Sequence, residues 1–148
     1  MSATRDIAGY RIDHAPSRAD LDVIHAFLVK SYWSPGIARD VMERGIKGSL
    51  PFVLRDPAGA VAGFARVVTD KASFGYICDL FVLPQQRGKG LSKLLTETIL
   101  SHPELQGLRR WMLATDDAHG LYRQFGFVPL AKPDVYMEKR RAPQPAET

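Results

Sequence analysis

The 148-residue chain is 45% hydrophobic and 24% charged, the make-up of one ordinary globular domain able to bury a core without disulfides or metals. Its formal net charge of +4 raises the question of nucleic acid, but the cations are dispersed. Arg109-Arg110 and Lys139-Arg140-Arg141 are the only runs, and no aromatic-rich sheet motif accompanies them, which argues for a solvated surface. The single cysteine, Cys78, excludes an intrachain disulfide and fits a reducing cytoplasm, with the thiol as an inert packing group. No apolar window is long enough to span a membrane, and the start, Met-Ser-Ala-Thr-Arg-Asp, lacks a signal-peptide core.

In chain order, Tyr10 to Asp13 reads as a first strand. Ser17-x-x-Asp20 resembles a capping box opening a helix through about Lys30. Tyr32-Trp33-Ser34-Pro35-Gly36 breaks it, and Ile37 to Ile46 reads as a second helix ending at Gly48. Phe52 to Arg55 and Val61 to Thr69 are strands joined by an Asp56-Pro57-Ala58-Gly59 turn, and Gly75 to Leu83 is the next strand. A helix runs from Leu91 to near His102-Pro103, with Leu91, Leu94, Leu95, Thr98 and Ile99 on one face. Trp111 to Ala114 is a strand, a short helix starts at Ala118, and one or two strands follow through Met137. Residues 142–148 read as a frayed tail of a single domain covering 1–148. The order β-α-α-β-β-β-α-β-α-β is a mixed α/β (α+β) sheet with helices on both faces.

Most functional information lies between Asp79 and Leu95. An apolar strand end, Leu80 to Leu83, is stopped by Pro84 and followed by a basic Gly-rich turn that opens directly into a helix. Gly88 and Gly90 therefore sit where first-turn backbone N–H groups have no intrahelical partner. Those amides, the positive end of the helix dipole, Arg87 and Lys89 make a site for a phosphate-bearing ligand. The pattern is not the dinucleotide fingerprint, whose third glycine would fall at Lys93, and it is not a Walker motif.

These residues resemble the acetyl-CoA motif of the GCN5-related N-acetyltransferase (GNAT) family, Arg/Gln-x-x-Gly-x-Gly/Ala just beyond a Val-x-Pro strand end. Here it reads Arg87-Gly88-Lys89-Gly90-Leu91-Ser92 after Val82-Leu83-Pro84, with Ser92 where the family has Gly or Ala. The frame starting at Gln85 also satisfies the pattern. A second anchor, Ala118-His119-Gly120-Leu121-Tyr122-Arg123-Gln124-Phe125-Gly126-Phe127, resembles the family's Ala-x-x-Leu-Tyr-x-x-x-Gly-Phe element. The likeness extends loosely over residues 8 to 138, and some uncharacterised members share the Ser31-Tyr32-Trp33-Ser34 segment. The resemblance implies a mixed central sheet of six or seven strands, about four flanking helices, and strands splayed beside the Gly-rich helix to admit a pantetheine arm. The arm would pair with the backbone of Phe81 and Val82, and Arg87, Gly88, Lys89, Gly90, Leu91 and Ser92 would hold the phosphates. It implies acetyl-CoA as co-substrate, no metal, an amine acceptor that is a small molecule or a protein, and no membrane; dimers are common in the family.

Acetyl transfer from a thioester to an amine needs a neutral nucleophile, a polarised carbonyl and a protonated leaving thiolate. Tyr122 matches the family's tyrosine, often the general acid, and is also a candidate cofactor contact. A tyrosine near pKa 10 donating to a thiolate near 8.5 is uphill by about 2 kcal/mol. An amine near pKa 10.4 costs about 4.6 kcal/mol to deprotonate at pH 7, which makes a base helpful. Asp79 is the candidate base, because it is the only charged residue from Ile77 to Leu83; a structural role there is equally open. The resemblance makes Tyr32 and Trp33 acceptor-site candidates, because the family's acceptor cleft is bordered by that connection; anchoring of the loop in the core is equally open. His25 reads as a packing histidine, Asp70 as a strand terminator, and Asp116 and Asp117 as surface or helix-capping residues. No His, Cys and carboxylate group has metal-ligand spacing, and no Ser or Cys nucleophile motif appears. The resulting expectation is an N-acetyltransferase working by direct attack in a ternary complex. A non-catalytic acyl-CoA sensor on the same fold is the alternative.

Overall fold

Ser17 builds the first helix as its sequence requires. Its side chain accepts from the Asp20 amide at 3.1 Å while Asp20 accepts from the Ser17 amide at 2.8 Å, a complete capping box. In a computed structural model that describes residues 7–141, this helix is α1, Arg18–Leu28, following β1, Arg11–Asp13. The chain continues through α2 (Arg39–Lys47), β2 (Leu50–Arg55), β3 (Val61–Thr69), β4 (Phe74–Val82), α3 (Leu91–Ser101) and β5 (Arg110–Met112). The described residues fall into two compact units, one through Thr115 and one from Asp116 onward.

The first unit carries a five-stranded sheet in sequence order, β1-β2-β3-β4-β5, antiparallel throughout except for the parallel β4–β5 pair. Ile24 and Leu28 of α1 and Met42 and Ile46 of α2 cluster with Val53, Phe64 and Phe81 on one face. The alternation along β2 sends Phe52 to the opposite face, where it meets His102 at the end of α3. Helix α3 packs there on β2, β3 and β4 and buries Leu91, Leu94, Leu95 and Ile99. Thr96 is the fully buried threonine and Thr98 is half-buried, although each hydroxyl donates to the carbonyl four residues back, Ser92 and Leu94, at 2.8 Å. Each fully buried Leu, Ile or Phe contributes about 1.5–3 kcal/mol, so this three-layer arrangement supplies the first unit's stability.

Arg55 joins three elements of this frame. Its guanidinium meets Asp20 through Nη1 at 3.0 Å and Nη2 at 2.8 Å, and Asp13 through Nε at 2.6 Å. Hydrogen bonds from Arg55 hold both carboxyls below the usual carboxylate range, and the two carboxylates push Arg55 above its own. The strand-end aspartate Asp70 does terminate its strand: it accepts from the Ala72, Ser73 and Phe74 amides and from the Ser73 hydroxyl, and these bonds hold its carboxyl far below the ordinary range.

The second unit contains α4, His119–Arg123, and a 3-10 turn at Pro133–Val135. The expectation of six or seven strands is corrected here: the sheet has five, and no strand forms among the described residues between Phe125 and Met137. Pro129 and Pro133 remove amide donors from that segment, and Val128, Val135 and Met137 are 79%, 66% and 97% exposed. The segment thus has apolar residues but neither a ladder nor a buried face. The tail reading at 142–148 lies outside the described residues.

Candidate active site

The turn between β4 and α3 is built in two steps. A 3-10 turn at Pro84–Gln86 follows the strand, and Gly88 and Gly90 then adopt φ of +83° and +79°, a left-handed backbone that side chains resist. Gly90 is the N-cap of α3 and no side chain caps that end, so the first-turn amides face outward without a side-chain acceptor. A Cβ at Gly88 would meet nothing within 4 Å, and one at Gly90 would just touch Ile7 at 4.0 Å. The space over the loop is therefore open, which suits an anion approaching backbone amides.

The two cations of the loop are already engaged with protein groups. Arg87 turns back to donate from Nε to the Val82 carbonyl at 3.2 Å. Lys89 donates to the Tyr10 hydroxyl at 3.0 Å and to Gln86 Oε1 at 3.2 Å, and Tyr10 itself donates to Gln86 Oε1 at 2.6 Å. Leu91 is 3% exposed, so its side chain belongs to the core and only its amide can serve a ligand. Ser92, one residue on, is half-buried.

Strand β4 is irregular at Asp79. Pairing with β3 jumps from Arg66↔Cys78 to Phe64↔Phe81, leaving Asp79 and Leu80 opposite Ala65, and Asp79 has φ +57°. A bulge in a left-handed non-glycine conformation costs about 1–3 kcal/mol and survives only when its surroundings hold it. Those surroundings are visible: Arg66 Nε donates to Asp79 Oδ2 at 2.6 Å, and Trp33 Nε1 donates to Oδ1 at 2.9 Å. Arg66 is oriented in turn by donating from Nη1 to the Ser49 hydroxyl at 2.9 Å. The Asp79 side chain is 7% exposed, with one donor on each oxygen. On the other edge, β4 pairs with β5 only through Phe74↔Arg110, Gly75↔Trp111 and Tyr76↔Met112. Beyond Tyr76, β4 has no β5 partner among the described residues. Phe81 and Val82, at 3% and 6% exposure, can offer only backbone there. Cys78 lies half-buried on this strand, and burial pushes its thiol up to about 11, which leaves it protonated at neutral pH.

Tyr32 and Trp33 stand on the loop between α1 and α2, 52% and 38% exposed, with their rings edge-to-face at 5.0 Å. The loop is tied down by the Ser31 hydroxyl, which donates to the Leu28 carbonyl and accepts from the Ser34 amide, and by a 2.8 Å bond between His25 Nε2 and the Ile37 carbonyl. His25 is thus the satisfied packing residue expected. The first unit brings together the Gly-rich turn, the β4 bulge and the aromatic loop. Tyr122 belongs to the second unit, where it is 7% exposed and packs against Phe127 with ring centroids 5.8 Å apart. Asp116 and Asp117 are exposed, and Ala118 is the N-cap of α4, with no side-chain capping bond.

Arg66 was missing from the sequence reading, although it is the only charged residue in Val61–Thr69 and was open to the inference applied to Asp79. Tyr10 carries no such signal; its bond to Lys89 spans 79 residues. Among the described residues, no three His, Cys, Asp or Glu side chains converge as metal ligands, and no helix is long and apolar enough to cross a membrane.

Known proteins share this architecture. A family model described as an acetyltransferase (GNAT) domain matches residues 47–129. A GNAT-family crystal structure from Xanthomonas campestris pv. campestris is 40% identical with a TM-score of 0.86, covering 92% of this chain and 96% of that one. A Gibberella zeae protein named as an acetyltransferase is 25% identical over 135 residues, 76% of this chain and 75% of that protein. A Clostridium acetobutylicum protein also named as an acetyltransferase, solved with acetyl-CoA, has a TM-score of 0.63 at 12% identity, covering 88% and 94% of the two chains; that likeness is one of fold. With its family model matched over more than half its length, the chain belongs to the GNAT acetyltransferase family.

Proposed function

We propose that the protein moves an acetyl group from acetyl-CoA to a primary amine by direct attack in a ternary complex. The observation that carries this reading is the uncapped N-terminus of α3 behind two left-handed glycines, joined to a strand whose partner leaves it after Tyr76. The amides of that turn would take the pyrophosphate, Arg87 and Lys89 would exchange their bonds to Val82, Tyr10 and Gln86 for the phosphates, and the β4 backbone at Phe81 and Val82 would pair with the pantetheine arm. The solved acetyl-CoA complex on the same fold supports the choice of co-substrate.

In the transfer, the amine nitrogen forms a bond to the acetyl carbon, the carbon–sulfur bond breaks, the amine loses one proton and the thiolate gains one. Tyr122, matched by motif to the family's tyrosine, is assigned the proton donated to sulfur. Asp79 had two roles open to it, and its contacts support the structural one: Arg66 and Trp33 hold its two oxygens and its side chain is only 7% exposed. Tyr32 and Trp33 are assigned to the acceptor.

Calorimetry tests the reading with acetyl-CoA, CoA lacking the 3′-phosphate, and free pantetheine. Micromolar binding that collapses for pantetheine is expected. Binding without thiol release for any amine in a broad panel would leave an acyl-CoA sensor, and no binding of any CoA species would refute both.

A further inference from the structure

The aromatic loop between α1 and α2 has a specific chemical character. Tyr32 and Trp33, 52% and 38% exposed, form an edge-to-face pair that is held before any ligand arrives. The indole N–H is fixed on Asp79 at 2.9 Å. The Trp33 ring leans on Phe27 at 6.2 Å, and Phe27 stacks on Phe81 with centroids 4.0 Å apart and planes 11° apart. A line of rings thus leads from the exposed pair to the end of β4. Because the loop is already ordered, a ligand that stacks on it does not have to pay for that ordering.

The electrostatics of the same place narrow the ligand further. The carboxylate beside the rings, Asp79, carries Arg66 on one oxygen and Trp33 on the other, so the pair adds no net charge. A polyamine or a lysine side chain gains most from carboxylates left uncompensated, and Asp79 offers none. What remains is flat, apolar and polarisable surface suited to another ring. Resting on the acetyl-transfer reading, we infer that the acceptor is a small primary amine bearing an aryl body, which stacks on Tyr32 and Trp33 and directs its amine toward the end of β4.

The test compares 2-phenylethylamine, n-butylamine and spermidine as acceptors at saturating acetyl-CoA, following thiol release. The expected kcat/KM for 2-phenylethylamine exceeds both others by about tenfold. Tyr32→Ala should narrow its advantage over n-butylamine by about two- to tenfold. Spermidine or n-butylamine used equally well, or an advantage untouched by Tyr32→Ala, would overturn the inference. If no amine releases thiol, 2-phenylethylamine is titrated against tryptophan fluorescence in the native protein and in Trp33→Phe, which keeps Trp111. Saturable quenching lost in the variant retains the aryl site while refuting acetyl transfer; absence of quenching refutes the aryl site as well.

Discussion

Replacing Arg55 with methionine should cost the protein a large part of its stability, in a way that depends on pH. The Arg55 side chain is 11% exposed and bonds to both oxygens of Asp20, whose side chain is 10% exposed. It also bonds to both oxygens of Asp13, at 2.6 and 3.3 Å. Arg55→Met keeps much of the volume but leaves a buried carboxylate with only the Ser17 cap. Breaking a buried pair from one side costs about 3–5 kcal/mol, a substantial share of a typical 5–15 kcal/mol, and for a chain of this size lowers Tm by roughly 10–15 °C. The pH dependence follows from Arg55 hydrogen bonds that hold Asp13 and Asp20 below their unfolded values. A depressed carboxyl stabilises the fold fully above its unfolded pKa, about 3.9, and loses that contribution as pH falls through the folded value. The stability gap between native protein and variant should therefore be widest above pH 5 and shrink toward pH 2. Urea unfolding at several pH values measures it. A gap below about 1 kcal/mol at pH 7, or one unchanged between pH 7 and pH 3, would refute the reasoning.

Four further outcomes are expected. Gly90→Glu forces a side chain into φ +79° and puts negative charge on the turn, so calorimetric acetyl-CoA binding should vanish while the fold, checked by circular dichroism, persists; retained affinity would remove the phosphate role. Tyr122→Phe should lower turnover by about 10²-fold with little change in acetyl-CoA affinity, and unchanged turnover would end its role as acid. Asp79→Asn weakens the tether on Arg66 and Trp33, so the acceptor KM should rise while the pH profile of kcat keeps its shape; loss of the profile's rising limb would instead make Asp79 the base. Cys78, with its thiol pushed up to about 11, should react with iodoacetamide at pH 8 about 10²-fold more slowly than a free thiol and accelerate as pH rises. Rapid labelling at pH 8 would contradict its burial.

Features governed by neighbouring residues were legible in the sequence. The Ser17–Asp20 capping box, the bounds of β3 at Val61–Thr69, the start of α3 at Leu91 and the Gly88–Gly90 turn all rest on caps, periodicity and glycine within a few residues. Two motifs in order were enough to point to the family. The one or two strands expected through Met137 do not form among the described residues, because a strand exists only where another chain segment completes its ladder. Tertiary structure alone decided which groups hold Asp79, because its partners lie 13 and 46 residues away and meet it only through the β3–β4 register and the path of the α1–α2 loop. The same holds for Arg55 with Asp20 and for Lys89 with Tyr10, 35 and 79 residues apart. Local backbone preferences are written residue by residue, whereas a charge finds its partner only once distant segments have packed.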